Sequence, residues 1–247
     1  RSNPMPNHVT HRVVVTGPSD AIARFKAAFL FEKTERDFDG TEHRYTHFDF
    51  NVLVPMPQFL RQTESSSSLT HGLLVLGRTD IVSDFGMPTS LQDDVARFLS
   101  FDWVKEAGVT DYEGLKALLL KNDPTCVEVA QRAVKAYELY GHTSWYGWSI
   151  ENWGTKWNSY SFREISDRDG RLEFMFDTAW SVPEPIFDAL AERSEVKDLS
   201  ITIHAFDEGW NFAFVGSIRG GYFLGQTVDA SDALHRDVYG ETAASAD

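Results

Sequence analysis

The spacing of apolar residues changes period several times along the chain. From His8 to Thr16 apolar and polar residues alternate and close on Val13-Val14-Val15, which predicts a strand. Gly17-Pro18-Ser19-Asp20 reads as a turn, with Ser19 placed to cap a helix. Ile22, Phe25 and Phe29 mark that helix at helical spacing to about Phe31. Asp37-Phe38-Asp39-Gly40 reads as loop. Phe48, Phe50, Val52 and Val54 alternate and predict a second strand over residues 46–54. Pro55-Met56-Pro57 stops it, because proline has no N–H to give a ladder.

Polar spacing then takes over. Gln62 to Thr70 holds four consecutive serines and predicts a mobile loop, and residues 77–90 also read as loop. Leu91, Val95, Phe98 and Leu99 form one apolar helical face. Thr110-x-x-Glu113 matches a capping box ahead of Tyr112, Leu115, Leu118 and Leu119. Asp123-Pro124 opens a third helix with the stripe Val127, Ala130, Val134, Tyr137, ended by Gly141.

After residue 157 the period returns to two. Tyr160, Phe162 and Glu164 are predicted on one face of a strand, and Leu172, Phe174 and Phe176 on one face of the next. Asp167-Arg168-Asp169-Gly170 supplies the turn between them. Ser181-x-x-Glu184 reads as a capping box for a helix through Ile186, Phe187 and Leu190. Leu199, Ile201 and Ile203 predict a strand, Asp207-Glu208-Gly209 a turn, and Trp210, Phe212 and Phe214 the strand that follows. A last short strand is predicted from Tyr222 to Gln226, beside a turn at Gly220-Gly221. Antiparallel hairpins alternating with helices make an α+β fold. Residues 5–56 and 157–226 are assigned to its core, 57–141 to a mostly helical insertion, 142–156 to a tryptophan-rich connector and 227–247 to a flexible tail.

Composition narrows the class. The 247 residues carry 23 basic and 37 acidic side chains, a net charge of −14, and 13% are aromatic. No apolar run is long enough to span a membrane, and no secretory stretch opens the chain, so a cytoplasmic protein is expected. Arg1-Ser2-Asn3-Pro4 are read as foreign residues ahead of a natural start at Met5. The single cysteine, Cys126, leaves no internal disulfide and no multi-thiolate zinc site. The acidic balance argues against simple electrostatic binding to nucleic acid or anionic lipid, so neither partner is expected.

Residues 142–158 concentrate four of the seven tryptophans: Trp145, Trp148, Trp153 and Trp157. Such a segment is either a connector whose rings fill the core or a binding surface, since tryptophan and tyrosine are enriched at interface hot spots. Here the sequence resembles the YubB-like family of plasmid and phage proteins. The resemblance is carried by Met5-Pro6-Asn7-His8-Val9-Thr10, Thr16-Gly17-Pro18, Val54-Pro55-Met56-Pro57, Trp145-Tyr146-Gly147-Trp148 and Asn152-Trp153-Gly154-Thr155-Lys156-Trp157. Thr178-Ala179-Trp180-Ser181-x-Pro183 and Asp207-Glu208-Gly209 complete it. The family commonly has a bulky residue or cysteine where His8 stands. The resemblance implies a ferredoxin-like antiparallel sheet with helices on one face, and a mobile-element origin. It transfers no catalytic residue.

A search for chemistry returns few spacings. His8 and His11 fall on opposite strand faces, and His43 and His47 stand about 13 Å apart along a strand, too far to share an ion. There is no nucleophile elbow and no phosphate loop. Cys126 lies near a helix start but has no identifiable histidine partner. The acidic pairs Asp37/Asp39, Asp93/Asp94, Asp167/Asp169 and Asp207/Glu208 sit in turns or helix starts. No metal and no cofactor are expected, and no catalytic residue is assigned. The candidate binding set is Trp145, Tyr146, Trp148, Glu151, Asn152, Trp153, Thr155, Lys156, Trp157, Asp177 and Trp180. Lys156 has two readings: stacked on an aromatic ring, or paired with Glu151.

Three functions compete at this point. The first is an accessory protein of a phage or plasmid that binds a host or element-encoded protein, including a host defence protein that it inhibits. The second is an enzyme with an aromatic and polar pocket built from residues 145–158. The third is a nucleic-acid-binding module that uses the sheet face, for which the basic-aromatic pattern of RNA-binding strands is missing.

Overall fold

The structure, a computed structural model, describes residues 7–36, 38–81 and 89–240. Met5, Asp37, residues 82–88 of the predicted loop and residues 241–247 lie outside them. The chain forms two compact units, Arg1–Pro55 with Ile150–Asp247, and Met56–Ser149. The elements begin with β1 (His8–Thr16), α1 (Ser19–Phe29), β2 (Leu30–Arg36) and β3 (Glu42–Phe48). The second unit holds α2 (Ser67–Leu76), α3 (Leu91–Leu99), α4 (Asp102–Glu106), α5 (Tyr112–Asn122) and α6 (Cys126–Tyr140). Helix α7 (Trp145–Trp153) runs across the boundary. The chain ends with β4 (Tyr160–Arg168), β5 (Arg171–Ala179), α8 (Glu184–Ala191), β6 (Ser200–Asp207), β7 (Ala213–Arg219), β8 (Tyr222–Val228) and α9 (Asp232–Tyr239).

In the first unit six strands form one antiparallel sheet in the order β4-β5-β1-β6-β7-β8. The elements β1-α1-β4-β5-α8-β6 alone reproduce the ferredoxin-like βαββαβ arrangement. Strands β7 and β8 widen it at one edge. Val9, His11, Val13 and Val15 share the inner face with Phe176 and Phe174 of β5 and with Ala205, Ile203 and Ile201 of β6. Helices α1 and α8 cover this face: Phe25 meets Phe174 at 6.2 Å between ring centres, and Phe187 meets His11 at 6.2 Å. Phe48 and Phe50, which follow the β2–β3 hairpin, close the same core against Phe176 at 5.3 and 6.1 Å.

The second unit has its own interior. Leu69 and Leu73 of α2 pack with Val129, Ala130 and Ala133 of α6, while Leu74 turns to Phe98, Val104, Leu115 and Leu119. Gly72 permits the α2–α6 approach, since a Cβ there would lie 1.9 Å from the Cys126 carbonyl oxygen. Cys126 is buried in this contact, and burial pushes its thiol up, away from the reactive thiolate.

Several predicted elements differ. The α1 helix stops at Phe29, and the chain doubles back as a β2–β3 hairpin. The strand expected over 46–54 therefore ends at Phe48, where Asp49 accepts from the Asn51 N–H and starts a 3-10 turn, Phe50–Val52. The predicted serine loop carries the start of α2, because Leu69, Leu73 and Leu74 give it a buried side. The connector 142–156 is largely helix α7. The tail expected from 227 instead completes β8 and forms α9. Val238 and Leu234 of that helix pack on Met175, Phe206 and Ala213, so helices cover both faces of the sheet rather than one. Neither capping box forms. Asp111 caps α5 by accepting from the Gly114 N–H, and Pro183 precedes α8. Ser19 does not cap α1, and its hydroxyl donates to Asp169. Trp210 stands in the β6–β7 turn at φ +57°, so the strand with Phe214 starts later.

Candidate functional site

The first unit carries the most chemistry where β1 begins and β5 ends. The turn after β5 is pinned from two sides. Thr155 Oγ1 donates to the Ala179 carbonyl at 2.8 Å, and Ser181 Oγ donates to the Gly154 carbonyl at 2.5 Å. Trp180 between them adopts φ +71°, a conformation that a bulky side chain holds only where its surroundings enforce it. Its N–H donates to the Asn7 carbonyl at 2.9 Å. These pins align Trp180 with the Lys156–Trp157 dipeptide. The Lys156 ammonium lies 4.6 Å from the Trp157 ring and 4.7 Å from the Trp180 ring. Both indoles remain open to solvent, at 38% and 40% exposure. Lys156 thus stacks on aromatic rings, as one of its two readings had it.

Behind this stack lies a part-buried polar cluster. His8 Nδ1 and the Tyr160 hydroxyl are hydrogen-bonded at 2.6 Å. Thr10 Oγ1 donates to Asp177 Oδ1 at 2.8 Å, and the His8 N–H donates to Glu208 Oε1 at 2.8 Å. Burial, with the Asp177 and Glu208 carboxylates close by, pushes the Tyr160 phenol far above its ordinary range. Burial raises Tyr239 of α9 as well. Both phenols stay protonated at neutral pH.

A cleft of about 690 Å³ opens beside these groups within the same unit. Tyr45, Thr46 and His47 of β3 line one side, and Trp157, Tyr160, Ser161 and Phe162 line the other. Ser161 has φ +54°, and the β4–β5 register shifts between Tyr160 and Arg163. This bulge splits the face predicted for β4. Tyr160 stands opposite Asp177 on the outer face, while Phe162 stacks on Phe174 at 5.4 Å on the inner one. Asn158, which lines the cleft, donates through Nδ2 to Asp49 at 2.6 Å, and Asp49 also accepts from Asn51. Burial alone would raise this carboxyl, but those hydrogen bonds outweigh it and hold Asp49 below the usual range.

Of the eleven candidate residues, Lys156, Trp157 and Trp180 come together at the surface, and Asp177 lies in the polar cluster. Trp153 and Thr155 are structural. The Trp153 indole is buried and donates to the Val54 carbonyl at 2.8 Å. Trp148 is also buried. Trp145, whose N–H donates to Thr63 Oγ1, belongs to the other unit together with Tyr146 and Trp148. Glu151 is exposed and Asn152 half-buried on α7. The sequence reading missed His8, Tyr160, Glu208 and Tyr239 as members of one site. They lie up to some 230 residues apart in the chain, so no spacing could reveal them. Among the described residues, no group of three or more His, Cys, Asp or Glu side chains is arranged to hold a metal ion. No described helix is long and apolar enough to cross a membrane.

Residues 152–217 match the family model described as the ferredoxin-like domain in Api92-like protein. Among solved structures, the crystal structure of protein api92 from Yersinia pseudotuberculosis aligns with a TM-score of 0.40 and 10% identity, covering 92% of this chain and 98% of that one. No curated protein matches the chain.

Proposed function

We propose that the chain is an accessory interaction protein of a phage or plasmid, similar to the YubB-like family, which binds a host or element-encoded protein in the cytoplasm. A host defence protein that it inhibits is the sharpest form of this reading. The observation that carries it is the Trp157–Lys156–Trp180 stack. Two large indoles stand half in solvent on either side of the Lys156 ammonium, and a pinned turn with a left-handed backbone fixes Trp180. Rigid, partly exposed aromatics beside a cleft are the anchors that protein interfaces use, because little side-chain freedom is lost when they are covered.

The enzyme reading rests on the cleft and its His8–Tyr160 contact. A phenol pushed upward by burial and by two carboxylates resists ionisation, so Tyr160 makes a poor base at neutral pH. The test is capture of partners from the natural host with the wild-type chain and with the Trp157→Ala/Trp180→Ala double variant, at low and high salt. A stoichiometric protein retained by the wild type and lost from a variant of unchanged thermal stability supports the reading. Equal retention by both, or no partner at either salt, overturns it. Hot-spot truncations of this kind weaken binding by about 2 kcal/mol or more.

A further inference from the structure

The geometry points to the outer face of the sheet as a docking surface for the phosphate backbone of duplex nucleic acid. Adjacent strands in register place their side chains on a common face, so the outer face can be read from the pairing. The row nearest the β4–β5 turn runs Arg168, Arg171, Thr16, Ser200, Arg219, Tyr222. The next holds Glu173, Val14, Thr202, Ser217 and Leu224, and Arg163, Arg12 and His204 follow in the third. Helix α9 covers the far end, over Phe206 and Ala213, and reaches the third row, where it packs on Met175 and Arg12 Nη1 donates to the Asp237 carbonyl at 3.0 Å.

Charge is therefore segregated. These three rows carry five arginines and a single carboxylate, Glu173, in a chain whose net charge is −14. Glu173 is shared between Arg12 and Arg171 and cannot neutralise both. Arg163, Arg168 and Arg219 are exposed and make no ion pair among the described residues. The acidic side chains of the hairpin turn point elsewhere: Asp167 binds Lys26 of α1, and Asp169 accepts from Ser19. Two acids border the rows: Asp237 of α9, 3.7 Å from His204, and Asp177, which stands in the fourth row and accepts from Thr10.

The spacing selects the polyanion. Arg171 and Arg219 are three strands apart, about 14 Å at ~4.8 Å per strand. That is close to the ~12 Å major groove of B-form DNA, so the two guanidiniums can meet phosphates on either side of one groove. Between them lie the hydroxyls of Ser200, Thr202 and Ser217, and arginine with Ser/Thr hydroxyls is the usual phosphate-contacting set. Within these three rows the strands β5, β1, β6 and β7 carry no Phe, Tyr or Trp, and Phe206 is buried beneath α9, so the stacking that single strands need is missing. A second copy is disfavoured as the occupant. Face to face it would oppose arginine to arginine, and basic face to acidic back would not close. The acidity of the remaining molecule repels DNA at long range, but salt screens that repulsion within about 10 Å, whereas contacts at the face persist.

The test is fluorescence anisotropy of a labelled mixed-sequence 20-base-pair duplex with the full chain, from 20 to 200 mM NaCl. Two double variants shift the net charge equally: Arg168→Glu/Arg219→Glu on the face, and Lys105→Glu/Lys121→Glu in the other unit. Binding that falls steeply with salt, weakens at least tenfold in the arginine variant and stays within twofold of wild type in the lysine variant supports the surface. Milder Arg168→Gln or Arg219→Gln changes should each lower the salt slope by about one. No binding at 20 mM NaCl, equal loss in both double variants, tighter binding of a single strand, or equal binding of poly-glutamate would each overturn it.

Discussion

His11 sits inside the core, its ring parallel to Phe176 at 4.6 Å. Neither ring nitrogen meets a well-formed hydrogen bond among the described residues. Burial pulls its pKa down to about 3, offset only in part by nearby backbone groups of Phe176 and Val9. The sign of the pH effect follows. Above about pH 6.5 the ring is neutral in both folded and unfolded states, and stability does not depend on it. Between about 6.5 and 3 the unfolded chain binds a proton that the folded core refuses. Stability then falls with pH, by up to about a decade in the unfolding constant per unit. His11→Phe removes this component. Urea unfolding at pH 7, 5.5 and 4 should show a shallower decline in the variant, and identical declines would contradict a buried neutral histidine.

Helices meet other elements through contacts that a single atom can decide. Gly72→Ala drives a methyl into the Cys126 carbonyl, and the α2–α6 pair must move apart. A loss of about 3 kcal/mol is expected in thermal or urea unfolding. Val238→Ala opens a gap under α9 and should cost about 2 kcal/mol, with earlier hydrogen exchange along α9 than in β1. Alternation revealed β1, β5, β6 and β8 in the sequence, and the stripes of α3, α5 and α6 were equally plain. The β2–β3 hairpin was hidden because its exposed strands carry polar residues on both faces. Helix α2 was hidden by serines at its start, and α9 because its buried side is only Val238 and Leu234. At the site, the sequence pointed to Lys156, Trp157 and Trp180 but not to what positions them. Those partners are the Ala179, Gly154 and Asn7 carbonyls, reached by Thr155, Ser181 and the Trp180 N–H, with Tyr160 beside Trp157, and they meet only once the sheet has formed.

On the scale of the molecule, net charge misleads where charge is sorted by face. A value of −14 describes the average, while the strand register gathers arginines on one side of the sheet and leaves the remaining surface more acidic than the average. Affinity for anions is then a property of an orientation, and the salt titration of face and control variants measures it. The same register orders events during synthesis. β1 precedes the other strands of this sheet in the chain and lies inside it: its two neighbours are β5, beginning at Arg171, and β6, ending at Asp207. At about 5–20 residues per second, the ribosome needs roughly 10–40 s to deliver the last of them. In that interval Met56–Ser149 is already complete and free to fold, while Val9, Val13 and Val15 wait unpaired. The strand that anchors the finished sheet is, in the nascent chain, an apolar segment whose partners have yet to be made.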